Sequence, residues 1–262
     1  MRAICHSGSG SPPTPTREAV DPYADRILKS WATNEAVGHL FATRLPATLT
    51  VMVPILILDT LLAIPFAMGV AYVRGSLTDR SIMMLTTVAL SISFLVYVIV
   101  GQYVFAFQLG LFPVQGWSDS LWTNLRVYSP LPVLLAVAVS LAPTTRLYRT
   151  FFLDEIGHDY VRTARAKGLT EQTILLKHVL RNAMIPILTN VAVALPGIFV
   201  GSFLIEVFFS IPGLGRELWL SVNRSDYPVI QAFAIYTAVI TMFVNLLTDI
   251  LYKLVDPRVV LK

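Results

Sequence analysis

Asp159-Tyr160-Val161-Arg162-Thr163-Ala164-Arg165-Ala166-Lys167-Gly168-Leu169 is the stretch that decides how this chain is read. It lies within a run from Arg149 to Arg181, set between two apolar runs, that carries too much charge to enter a bilayer. Arg146, Arg149, Arg162, Arg165, Lys167, Lys177 and Arg181 outweigh Asp154, Glu155, Asp159 and Glu171. An excess of Lys and Arg places such a loop in the cytoplasm. Asp159 as N-cap and Gly168 at C′ predict a short helix between them. Arg165 and Lys167 fall in its last turn, where the helix dipole favours cations. Thr170 then caps a second helix, with Glu171 in its first turn, that runs on toward the next span. A short helix joined to a longer one entering the bilayer is a lever, and the loop reads as a docking surface where a soluble partner pushes on the spans. The bland alternative is that its charge only obeys the positive-inside rule.

The rest of the chain supplies the spans. Of 262 residues, 55% are hydrophobic and 14% charged, and the mean hydropathy is +0.67. Soluble domains carry roughly 25% charged residues, so this chain has too little polar surface for a water-facing globule. An all-α polytopic membrane protein with about five spans follows. The net charge of +4 matters less than its placement. One cysteine, Cys5, excludes an intrachain disulfide and a Cys cluster. His6, His39, His158 and His178 have no metal-ligand spacing.

Outward from the loop, the third span starts near Pro130 and ends near Arg146 to Arg149. The fourth runs from about Ala183 to Phe209, with Pro186 and Pro196 inside it. Gly197 and Gly201 form a GxxxG pair, which permits close helix packing. Glu206 lies near the far end of this span, at the expected interface. The fifth span runs from Val229 to Tyr252, with Asn245 and Asp249 toward its end. The first, Leu45 to Val73, contains Pro54, Pro65 and Asp59, and the prolines should bend it. An ionisable group in a span faces protein or water, so Asp59 is either a hydrogen-bonding group between helices or part of a lining. The second, Ser81 to Phe107, carries Ser91 and Ser93, suited to bonds between helices. Trp117 and Trp122, in the loop from Gln108 to Ser129, look like interfacial anchors.

The basic tail and loop 149–182 inside put the turn at Arg74 to Arg80 inside too. The loops at Gln108–Ser129 and Ile211–Pro228 are then outside. Residues 1–21 are Ser/Gly/Pro-rich, lack a signal-peptide core and are expected to be disordered. Residues 22–44 form an extracytoplasmic or interfacial segment, in which Asp25 to Trp31 and Glu35 to Phe41 are each either a short amphipathic helix or ordinary surface. Residues 45–262 are the transmembrane domain. The chain shows no P-loop, HExxH, GxSxG or CxxC pattern, and its intramembrane acids Asp59, Glu206 and Asp249 are scattered. Catalysis therefore has no constellation to rest on, no cofactor is called for, and the basic run, balanced by four acids between spans, does not point to nucleic acid.

The opening stretch, with His178-Val179-Leu180-Arg181-Asn182-Ala183-Met184-Ile185-Pro186, closely resembles the coupling loop of bacterial ABC-importer permeases. The likeness is to the B-type transmembrane subunit of the dipeptide/oligopeptide/nickel group. Arg44-Leu45-Pro46-Ala47-Thr48-Leu49 resembles that family's entry to its second helix. Glu206-Val207-Phe208-Phe209-Ser210-Ile211-Pro212-Gly213-Leu214-Gly215-Arg216 resembles its outward segment. Asp226-Tyr227-Pro228-Val229 and Asn245 through Asp256-Pro257-Arg258 resemble its C-terminal signature. The general permease pattern opens Glu-Ala-Ala and keeps a glycine downstream. Here Ala164 and Gly168 keep the last alanine and the glycine, and Arg162 and Thr163 stand in place of the first two residues.

The resemblance implies an ABC type I importer permease fold at the cell inner membrane, multi-pass, with the C-terminus cytoplasmic. It implies a translocation path for di- or oligopeptides or nickel, driven by separate cytoplasmic ATPase subunits. A second, homologous permease and an extracytoplasmic substrate-binding protein would complete the assembly within the lipid. The short helix would sit in a groove of the ATPase. Asp159, Arg162, Arg165 and Lys167 would offer charge there, Tyr160, Val161 and Ala164 an apolar contact, and Gly168 close backbone approach. The family has a further span before the first one here, and the chain is expected to lack it. The reading from another class is a secondary transporter driven by an ion gradient through Asp59 or Asp249.

Overall fold

The computed structural model describes residues 29–255, with side chains through Thr248. Segment 1–21 and the tail at Asp256-Pro257-Arg258 lie outside the described residues, and so does the side chain of Asp249. The described residues are helical and irregular, apart from one isolated bridge between Lys29 and Ala36.

Helix α1 (Val37–Tyr72) continues through Pro46, Pro54 and Pro65. Backbone groups in lipid have no partner except their own helix, so the ladder persists around each missing donor. The helix begins at Val37 rather than Leu45, because Val37, Leu40 and Phe41 pack on Val229 and make this stretch its outer turns. In the segment Asp25 to Trp31, read as either a short amphipathic helix or ordinary surface, the described residues Lys29 to Trp31 are not helical.

The second span is not one straight helix. α2 (Leu77–Ser91) and α3 (Phe94–Gly101, continued as a π-helical stretch over Gln102–Gln108) meet at 88°. Ile92 and Ser93 between them are extended. Ser91, expected to bond a neighbouring helix, donates to the Thr87 carbonyl at 2.9 Å, and Thr87 to that of Met83 at 2.8 Å. Such back-bonding competes with the ladder and weakens a helix end.

α4 (Pro130–Ile156) opens on a proline, which suits a first helical position. It runs past Arg149, further than expected. α5 (Asp159–Ala166) follows after Gly157 and His158. α6 (Glu171–Val200) includes a π-helical stretch at Ile174–Val179. It stops at Gly201, so the fourth span does not reach Phe209. α7 (Phe203–Phe208), α8 (Leu214–Asn223) and α9 (Tyr227–Val255) complete the described chain.

α1, α4, α6 and α9 are long and apolar enough to cross a membrane, and α2 with α3 makes a fifth crossing if the bent pair is one span. α1 packs chiefly on α4, with α6 beside both. Beside the small cluster of Val37, Leu40 and Val229, two larger clusters of buried side chains divide the molecule. One gathers Ala67, Tyr148, Phe152, Val161, Ile174 and Ala183 around α5. The other gathers Val51, Val98, Leu131, Leu135, Ile205 and Ile211 toward the opposite end. Trp117 packs against this second cluster, whereas Trp122 is exposed with Arg126 5.6 Å from its ring.

Candidate functional site

α5 is built from its ends inward. His158, not Asp159, holds the N-cap position, and its side chain makes no cap bond. Asp159 is the first helical residue, where a carboxylate favours the dipole, and it pairs with Arg162 at 3.3 Å. At the other end Gly168 has φ +79°. Its N–H donates to the Arg165 carbonyl at 2.9 Å, and the Leu169 N–H donates to that of Ala164 at 3.3 Å. These two bonds with a left-handed residue at C′ are a Schellman ending. Thr170 then caps α6, its hydroxyl accepting from the Thr173 N–H at 3.4 Å.

The structure turns part of the expected docking set inward. Val161 and Ala164 are buried among Phe152, Ile156, Ile174 and Val179. They anchor α5 to α4 and α6 and face the interior rather than the surface. Tyr160 is half-buried; its hydroxyl donates to Glu155 Oε2 at 2.7 Å, with Asn182 of α6 also within reach. Burial pushes the Tyr160 phenol above its ordinary range, with Asn182 opposing and Glu155 adding to the shift. Arg165 grips Glu171 at 2.5 and 3.2 Å, a two-pronged clasp across the Gly168 turn. The outward edge includes Asp159, Arg162, Thr163, Ala166, Lys167, Gly168 and Leu169, all exposed. A Cβ on Gly168 would meet nothing within 4 Å. Ala166 and Leu169 are the apolar members that sequence reasoning missed. The signal was present: Val161 and Ala164, three apart, define one face, and Ala166 falls on the opposite one.

Beneath the clasp lies a cleft of about 200 Å³, where Tyr72 and Arg74 meet Ile156, Arg165, Glu171 and Leu175. The turn after α1 therefore shares one end of the molecule with α5.

The intramembrane candidates have other placements. Asp59 is buried, and its two oxygens accept from Ser140 at 2.7 Å and Thr144 at 2.9 Å, so it binds α1 to α4. Gly197 and Gly201 do not act as a packing pair within this chain. Gly197 faces open space, and Gly201 ends α6 at φ +80°, where a Cβ would strike Glu206 and Thr48. Glu206 is fully buried, not interfacial. Thr48 donates to its Oε1 at 2.9 Å and the Arg216 N–H to its Oε2 at 2.9 Å. Thr48 also accepts from the Leu214 N–H at 2.8 Å, so one carboxylate and one hydroxyl stitch α1, α7 and α8 together.

A family model described as the inner membrane component of binding-protein-dependent transport systems matches residues 63–261, which include all of α5 and its flanks. The chain is 37% identical over 231 residues to the dipeptide transport system permease protein DppB of Lactococcus lactis subsp. cremoris, covering 87% of this chain and 73% of that one. It is 36% identical over 228 residues to the oligopeptide transport system permease protein AppB of Bacillus subtilis, with 85% and 72% covered. The dipeptide transport system permease protein DppB of Escherichia coli K12 is 32% identical over 248 residues, with 85% and 73% covered.

Proposed function

Because this chain belongs to the family of inner membrane components of binding-protein-dependent transport systems, we propose that it is the peptide-conducting permease subunit of an ABC importer, taking its drive from a cytoplasmic ATPase seated on α5. The observation that carries this reading is the two-sidedness of α5. Val161 and Ala164 lock it into the cluster shared with α4 and α6, while Arg162, Ala166, Lys167, Gly168 and Leu169 stay open on the other side. A partner pressing on that edge moves three helices, not a loop. In this reading loop 149–182 and the C-terminus are cytoplasmic. The segments around Gln108–Ser129 and Ile211–Pro228 meet an external binding protein, and a second permease completes the path. Relatives named for dipeptides and oligopeptides support a peptide cargo and lend nickel no comparable support. A gradient-driven path through Asp59 is disfavoured, since both its oxygens are occupied by hydroxyls of α4.

The test is Gly168→Arg in the assembled importer. The added side chain points into open space, so folding is spared apart from roughly 1–2 kcal/mol of left-handed strain. Gly168→Ala carries the same strain without the bulk and is the control. The expected result is loss of ATPase co-purification and of peptide uptake in the arginine variant, with both largely kept in the alanine variant. Unchanged association and uptake in Gly168→Arg would remove the docking role.

A further inference from the structure

The hydrogen bonds of α4 reach a helix outside the core around α5. Arg149 stands two turns before the C-terminal end of α4. Its Nη2 lies 2.8 Å from Asp79 Oδ2 and its Nε 3.1 Å from Oδ1. Asp79 is buried and Arg149 mostly so, which sets this pair apart from the exposed Arg162–Asp159 pair. Asp79 has two further ties. Its carboxylate accepts from the Gly75 N–H at 3.0 Å, and its own N–H donates to Ser76 Oγ at 3.2 Å, the N-cap of α2. One carboxylate therefore holds the turn after α1, the start of α2 and the lower part of α4. One turn earlier on α4, Arg146 Nη1 reaches Thr87 Oγ1 at 3.3 Å, further along α2. Two arginines, three apart and so on one face of α4, grip α2 at two heights.

We infer that Asp79 and Arg149 form the positioning clamp through which displacement of the α5 end of α4 is imposed on α2, and through α2 on the bent α2–α3 pair. The clamp rests on the reading of α5 as the ATPase seat. A planar guanidinium with two parallel bonds to a carboxylate resists rotation as well as separation. Dispersion contacts alone would let α2 slide along α4. From α2 the force passes across the break at Ile92–Ser93 to α3, whose Gln102 donates to the Phe208 carbonyl at 3.1 Å near the opposite end. The clamp thus begins a connected route from the α5 end to the Glu206 node. Neither residue touches cargo or nucleotide in this scheme.

The test uses the complete importer in proteoliposomes, with its ATPase, its binding protein and a radiolabelled dipeptide. The readout is dipeptide delivered per ATP hydrolysed. Asp79→Asn keeps the shape and removes the charge; Arg149→Lys keeps the charge and removes the fork. Both are expected to lower the ratio, Asp79→Asn by about fivefold or more, while hydrolysis stays within about twofold of wild type. The exchange Asp79→Arg with Arg149→Asp is expected to recover part of the ratio. Equal losses of uptake and hydrolysis, or an unchanged ratio, would overturn the clamp. If Asp79→Asn fails to assemble, a wild-type ratio in assembled Arg149→Lys would overturn it equally. Wild-type importer that takes up dipeptide without ATP, or not at all, would instead sink the parent reading.

Discussion

Glu206 is the buried acceptor at which α1, α7 and α8 meet. Its position near the end of an apolar run points to an interface, where an acid costs little. What the run does not reveal is the turn at Gly201, which brings the carboxylate back over Thr48 and beneath Leu214 and Arg216. Gly213 belongs to the same arrangement, since a Cβ there would occupy the space of the Glu206 carboxylate. Glu206→Ala should therefore cost about 3–5 kcal/mol, from a cavity plus donors left without acceptors. Thermal unfolding of the purified permease in detergent would register it, and a melting temperature within a degree or so of wild type would refute the node.

Asp226 offers a second residue-scale prediction, on pH. Burial pushes its carboxyl up, but hydrogen bonds from Ser30, the Trp31 and Ala32 N–H groups and Val229 outweigh that and hold it below the usual range. A carboxyl lowered in the folded state stabilises fully above its unfolded value of about 3.9, and that stability fades as pH falls through the unfolded and then the folded value. Melting temperature should therefore drop on acidification more steeply in wild type than in Asp226→Asn. Parallel curves would count against it.

Among elements, the long helices were legible and the breaks between them were not. Apolar runs of span length announce α1, α4, α6 and α9, because lipid leaves their backbone no other partner. Capping residues announce α5 and its Schellman ending almost to the residue. The right angle between α2 and α3 has no proline or glycine to mark it. It arises where the hydroxyls of Thr87 and Ser91 bond within their own helix and the next arm packs elsewhere. That packing can be probed at Gly101, where α3 meets α4: an added Cβ would overlap the Leu135 side chain. Gly101→Ala should destabilise by about 1–3 kcal/mol through overpacking. Gly101→Ala combined with Leu135→Ala should recover part of this by freeing room. If the single variant melts like wild type, α3 does not lie against α4 as described.

At the scale of the whole molecule, charge in the sequence sorted the loops into two sets, and contacts in the structure sort them the same way. Arg149 with Asp79, and Arg74 with Arg165 and Glu171 around one cleft, gather the turn after α1 and the α5 loop at one end. Gln102 and Gln115 on the Phe208 carbonyl, Arg44 against Glu217 at 3.4 Å, and Ser30 on Asp226 gather the other set at the opposite end. We propose from the Lys and Arg excess around α5 that this end faces the cytoplasm. Single-cysteine variants decide it in a Cys5→Ser background, which leaves no other thiol in the chain. Lys167→Cys and Asp119→Cys place a thiol at an exposed position at each end. A membrane-impermeant maleimide added to intact spheroplasts should label position 119 at once and position 167 only after permeabilisation. The opposite pattern would put α5 out of reach of any ATPase. Labelling of both from outside would mean that the two ends do not lie across a membrane from each other.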